Sequence, residues 1–171
     1  MITSNDKLFC ILASCEKHIA VNNLSSYMYL FQLAGYDFNF KFKIQSSGLR
    51  SSFLNNYLDT LDNEGYIVID DSCIKLTKYG KTTLDDFILS LDELERFEKI
   101  LNTLNNFDKD ELYFLVIVDM VISEVRKKSG VEGLASEKNK ITSLVKSLTK
   151  DYTDEDFDAS IKFLRMIKGD I

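Results

Sequence analysis

The chain has 171 residues, of which 45% are hydrophobic and 28% charged, and a formal net charge of -6. This length suits one compact domain or two small ones sharing a core, and the composition excludes a low-complexity or disordered chain. The acidic balance argues against a protein that grips duplex DNA by its phosphates, which calls for a basic face.

The first residues, Met1 to Lys7, include acidic and polar groups where an export signal needs a basic start and an apolar run. A cytoplasmic location is therefore expected. Ser4 to Lys17 reads as a first helix, with Ser4 or Asn5 as N-cap and Leu8, Ile11, Leu12 and Cys15 as its apolar stripe. A second helix carries Leu24, Tyr27, Met28 and Phe31, reinforced by Leu30 and Leu33, and Gly35 is placed to end it in a left-handed turn. The period then changes to two: Phe38, Phe40, Phe42 and Ile44 alternate with Asn39, Lys41 and Lys43, the pattern of a half-buried strand.

Gln45-Ser46-Ser47-Gly48 reads as a turn into a third helix, on which Leu54, Tyr57, Leu58 and Leu61 recur at helical spacing until Asn63-Glu64-Gly65 closes it. Tyr66 to Ile69 and Cys73 to Leu76 are two short β-prone runs around the polar turn Asp70-Asp71-Ser72, and so form a hairpin. Thr77 is placed to cap a helix through Tyr79, Leu84 and Ile88. Helix, helix, strand, helix and hairpin in this order predict a winged helix-turn-helix over residues 1–82, with the third helix in the recognition position and the hairpin as wing.

Residues 83–171 are expected to form a C-terminal helical bundle packed on that domain, making the protein mainly α with a small β-hairpin. Phe97, Ile100, Leu101 and Leu104 make one stripe; Ile141, Leu144, Val145 and Leu148 another; Phe157, Ile161, Leu164 and Ile167 a third. Leu112 to Val125 is apolar on nearly every face, which suits the central member of a bundle. Its most hydrophobic part, Leu112 to Ile122, is interrupted by Asp119 and too short to span a bilayer.

Little chemistry is available along this path. Cys10, Cys15 and Cys73 form no Cys-x-x-Cys pair and lie in apolar patterns, as small buried residues of a reducing compartment do. His18 is the sole histidine, too little for a zinc site, so no metal or cofactor is expected. Asp151, Asp154, Glu155, Asp156 and Asp158 resemble a carboxylate cluster. With Thr153 in front of them they are better explained as a capped helix start whose acids complement the helix dipole. Arg126-Lys127-Lys128 mirrors this arrangement at a helix C-terminus. With no phosphate loop or nucleophile elbow, a non-enzymatic protein is expected.

Leu24, Tyr29, Gln32 and Gly35, then Gly48 and Ser51 ahead of Leu54, Leu58, Leu61 and Gly65-Tyr66-Ile67, form a recognisable pattern. It resembles the YwgA-like group of bacterial winged-helix proteins, relatives of the Panacea-domain (SocA-like) antitoxins. The group's Tyr-Gly-Pro-Tyr-Ser hallmark is reduced here to Ser47-Gly48-Leu49-Arg50-Ser51, without its tyrosines and proline. Ile74 to Lys81 is similar to the Leu-Thr-x-x-Gly ending of winged-helix proteins at large. The resemblance implies an antitoxin-like or defence-system component that binds a protein partner.

Through Thr82 eight basic residues balance eight acidic ones, leaving 13 basic against 19 acidic in the rest. A protein-interaction module is therefore the first expectation, with a dimeric DNA-binding regulator as the alternative. Under either, Ser47, Arg50, Ser51 and Asn55 on the third helix, with Lys75 and Lys78 on the wing, are the expected contacts. For a two-fold homodimer, Phe97, Ile100, Leu101 and Leu104 are the expected contact, rimmed by Glu95, Arg96, Glu98 and Lys99; the same stripe equally suits a cap on the chain's own core.

Overall fold

The computed structural model describes residues 19–36, 38–46, 48–71, 73–84, 91–129, 138–149 and 151–169. The chain divides into two compact units, residues 1–109 and 110–171, and is mainly helical with two small antiparallel sheets. The expected first helix, with Cys10, Cys15 and the neighbouring His18, lies outside the described residues, as do Ser47 and residues 85–90, which include Ile88.

In the first unit β1 (Ile19–Ala20) runs straight into α1 (Val21–Leu33). Leu24, Tyr27, Met28, Leu30 and Phe31 are buried along α1. Its end is a Schellman turn: Gly35 N–H donates to Gln32 O and Tyr36 N–H to Phe31 O, both at 3.1 Å. Gly35 sits at φ +92, which a side chain would resist. The turn folds the Tyr36 ring edge-on against Phe31, centroids 5.5 Å apart.

The alternating segment that follows is not the long strand its period predicts. Only Lys43–Gln45 forms strand β2, which pairs with β3 (Gly48–Arg50) in the register Lys43 to Arg50, Ile44 to Leu49 and Gln45 to Gly48. Upstream, Asn39 takes a left-handed φ of 58, and Phe40 gives both its backbone groups to the Gln32 side chain instead of to a neighbouring strand. The Gln45–Gly48 turn thus joins two strands, and the helix expected after it, α2 (Ser52–Asn63), starts four residues beyond Gly48.

Leu54, Leu58 and Leu61 are buried on α2, whose end repeats the Schellman pattern at Gly65. β4 (Ile67–Asp70) and β5 (Cys73–Leu76) then form the expected hairpin, and β1 adds to β5 as a third strand in the order β1-β5-β4. Ile67 and Ile74 point into the core, while Val68 is 46% exposed and Cys73 half-buried.

Thr77 joins this hairpin to α3 (Lys78–Leu84). Its backbone N–H donates to Tyr66 O, and its hydroxyl lies 2.6 Å from Gly65 O and 3.1 Å from Tyr66 O while accepting from Gly80 N–H at 3.0 Å. Gly80 is buried, and a Cβ there would meet Tyr66 O at 2.1 Å. The Leu-Thr-x-x-Gly ending is therefore a close crossing of helix over strand.

α4 (Leu91–Leu104) belongs to this first unit, which runs to Lys109. Phe97 stacks on Phe31 at 4.9 Å and meets Tyr36 edge-on at 5.7 Å. Arg96 donates to Ala34 O at 2.5 Å, capping the C-terminus of α1, and its guanidinium lies 5.8 Å from the Tyr36 ring centre. Burial raises the Tyr36 phenol above its usual value, partly offset by this guanidinium. Further along, Tyr27 OH donates to Asn105 Oδ1 at 2.8 Å. Phe97, Leu101 and Leu104 are consequently buried in the chain's own core and Ile100 is half-buried. This corrects the expected dimer contact, since the stripe retains little surface to offer a second copy.

The second unit is built on α5 (Lys109–Ser129), α6 (Lys138–Leu148) and α7 (Asp154–Lys168). Six successive residues of α5, Phe114 to Asp119, are buried, as the all-apolar pattern leads one to expect. Tyr152 stacks on Phe114 with centroids 3.8 Å apart, and Asp119 receives Lys168 Nζ at 2.5 Å. On α6 the buried stripe narrows to Ile141 and Val145, leaving Leu144 and Leu148 42% and 48% exposed. No described helix is long and apolar enough to cross a membrane.

Thr153 starts α7 with a capping box: its hydroxyl accepts from Asp156 N–H at 3.2 Å, and its own N–H donates to Asp156 Oδ2 at 2.8 Å. The Thr153 side chain and then its backbone N–H hold the Asp156 carboxyl below the usual carboxylate range.

Two outcomes are expected. In an ordinary helix Gly→Ala gains stability; here Gly80→Ala should lose about 1–3 kcal/mol in urea unfolding, because the methyl group collides with a backbone carbonyl. Because the folded Asp156 pKa is depressed, its contribution is complete above the unfolded value of about 3.9 and fades as pH falls through the folded one. The stability gap between wild type and Asp156→Asn should be constant near neutrality and narrow in acid below about pH 4. A gap independent of pH would contradict the cap.

Candidate interaction surface

The expected contacts fall on three pieces of the first unit that present side chains to solvent: the β2–β3 ribbon, α2, and the β4–β5 hairpin with the start of α3. The ribbon is held from behind. Gln32 Nε2 donates to Phe40 O at 3.2 Å and Phe40 N–H donates to Gln32 Oε1 at 2.9 Å, so one amide occupies both backbone groups of Phe40. Tyr29 meets Phe42 edge-on at 5.6 Å, and Phe40 lies 6.5 Å from Tyr57 on α2. Of the four residues at the start of the family-like pattern, Leu24 on α1 is core, Tyr29 and Gln32 on α1 fasten the ribbon, and Gly35 makes the turn that follows.

With the aromatic rings half-buried, the intervening Lys41, Lys43 and Gln45 are exposed. Arg50 is half-buried and sits opposite Lys43 on β3. Ser51 was expected to face outward but is buried, and its hydroxyl accepts from Leu54 N–H at 3.3 Å as the N-cap of α2. Extended backbone at Ser51 (φ -136, ψ 118) makes that cap possible and removes the residue from the candidate contacts. Asn55 is half-buried one turn on, and Ser47 lies outside the described residues.

The outward side of α2 carries Ser52, Phe53, Asn56, Asp59 and Asp62, all exposed, Phe53 by 59%. The helix contains no Lys or Arg. On the hairpin Tyr66 and Val68 share the outer face, with Lys75 opposite Val68 and paired to Asp70 Oδ2 at 3.4 Å. Tyr79, 57% exposed, stacks on Tyr66 with centroids 4.8 Å apart, beside the exposed Lys78. The hydrogen bond to Tyr79, at 3.5 Å, raises the Tyr66 phenol above its ordinary value.

Of the six expected contacts, Arg50 and Asn55 are thus partly accessible on the β3–α2 segment, and Lys75 and Lys78 flank Thr77 at the hairpin exit. The residues missed from sequence are Lys41 and Lys43, hidden in a strand-like alternation, and the exposed Phe53, Val68 and Tyr79, each indistinguishable by type from a core residue. Among the described residues no group of three or more His, Cys, Asp or Glu is placed to hold a metal ion. Comparison of the chain with protein-family models, curated proteins and solved structures found no match.

The Gln32 clamp has a direct consequence. Gln32→Ala removes two hydrogen bonds to one residue and should cost about 2 kcal/mol. Hydrogen exchange at the Phe40 amide should accelerate selectively; unchanged protection there would show that the ribbon is held by something else.

Proposed function

We propose that the chain is a non-enzymatic winged-helix protein that works as a protein-interaction module, antitoxin-like or part of a defence system. The exposed side of α2 and the β4–β5 hairpin form its docking face. The order α1, ribbon, α2 and hairpin supports the winged-helix reading, as does β1 joining the hairpin sheet.

The observation that carries the choice of partner is the charge of α2. A helix that reads DNA needs cations near phosphates, whereas this one has none and exposes Asp59 and Asp62. These carboxylates also stand in the last turns, where they oppose the helix dipole, so local stability does not account for them. Phe53, Val68 and Tyr79 add exposed apolar and aromatic area of the kind enriched at protein interfaces.

The alternative, a DNA-binding regulator, draws on Arg50, Lys75 and Lys78. Lys75 is already paired with Asp70, which weakens that reading. Copurification of the tagged protein from its native host tests the two together. A stoichiometric protein partner should be recovered, and Phe53→Asp should weaken it by about tenfold or more, as expected for an interface anchor. Specific binding of the promoter fragment at low salt, lost in Arg50→Ala, would overturn the proposal.

A further inference from the structure

The β2–β3 ribbon concentrates positive charge on an acidic protein. Exposure alternates from Lys41 to Gln45, with Lys43 exposed on β2 and Lys41 exposed two residues ahead of it. Lys43 is directly opposite Arg50 in the antiparallel register, which places a third cation beside it. Among the described residues no carboxylate pairs with Lys41 or Lys43.

Among the described residues the ribbon also has an edge that no strand pairs with. β3 is the strand nearer α1, its central Leu49 is buried, and β2 is the outer strand with no other described strand beside it. Alternate N–H and C=O groups of an edge strand face away from its partner, ready to pair with an added strand. The Gln32 clamp on Phe40 holds the chain entering this edge in place, so little ordering is needed on binding.

We propose that the outer edge of β2 is a docking site for an extended acidic segment of the partner protein. The segment adds as a strand along Lys43–Gln45, with one carboxylate meeting Lys43 and another reaching Lys41 in the stretch that leads into β2. Edge lysines deter an unselected strand, and the same charges admit one that carries carboxylates at this spacing. A nucleic acid fits less well. The ribbon leads directly into α2, whose exposed Asp59 and Asp62 and whose lack of any cation repel a continuing phosphate backbone. This inference rests on the interaction-module reading and specifies the chemistry of the partner.

The test is fluorescence anisotropy with the full chain and a short labelled peptide of alternating Glu and Thr. A peptide of the same composition with its Glu residues in one block, an alternating Lys and Thr peptide, and a single-stranded oligonucleotide are titrated beside it. The alternating Glu peptide should bind most tightly and weaken with salt, and β2 amides should gain hydrogen-exchange protection. Lys41→Glu with Lys43→Glu should reduce its affinity by about tenfold. Lys162→Glu, the same charge change at an exposed position on α7, should leave it unchanged.

Equal binding of the blocked peptide, an equal effect of Lys162→Glu, or tighter binding of the oligonucleotide through these two lysines would each overturn the proposal. The native partner separates this site from the broader reading. If Phe53→Asp releases it and the lysine reversals do not, the edge is wrong and the interaction module stands. A wild-type chain with no protein partner removes the module, while the peptide titration still decides the edge.

Discussion

The accessible part of the first unit depends on the side-chain amide of Gln32. A buried or half-buried backbone amide must find partners, and a strand normally finds them in another strand. Here Gln32 replaces the strand for one residue, satisfying Phe40 from α1. That permits the chain to leave the helix through a left-handed Asn39 and still arrive extended at β2. The ring contacts of Phe42 with Tyr29 and of Phe40 with Tyr57 then tie the ribbon to α1 on one side and α2 on the other.

Much of the helical framework was legible because helices advertise themselves by a long period and by punctuation. Gly35 and Gly65 end α1 and α2 in left-handed turns, and Thr153 with Asp156 opens α7 as read. The β4–β5 hairpin was legible for the same reason, a polar turn between two apolar runs. The Phe38–Ile44 alternation misled because period two reports only which side is covered. Neither the identity of the cover nor whether a ladder forms can be read from it, and the cover here includes a glutamine from another element.

The interaction surface was less legible, because exposure is a tertiary property. Ser51 looked like an outward polar residue until its extended backbone made it a helix cap. Phe97, Leu101 and Leu104 formed a stripe suited equally to self-association and to the core. The space beside Phe31 and Tyr36 decided for the core. Phe53, conversely, shares α2 with buried leucines yet projects away from them.

The pairing of Asp119 with Lys168 bears on how the second unit holds together. Asp119 is 2% exposed at the end of the buried run of α5, and Lys168, which donates to it, lies 49 residues downstream. A carboxylate enclosed there without its partner would be strongly unfavourable. A change at Lys168 is therefore felt in the middle of α5, so the first and last helices of the second unit are tied by charge across most of its length.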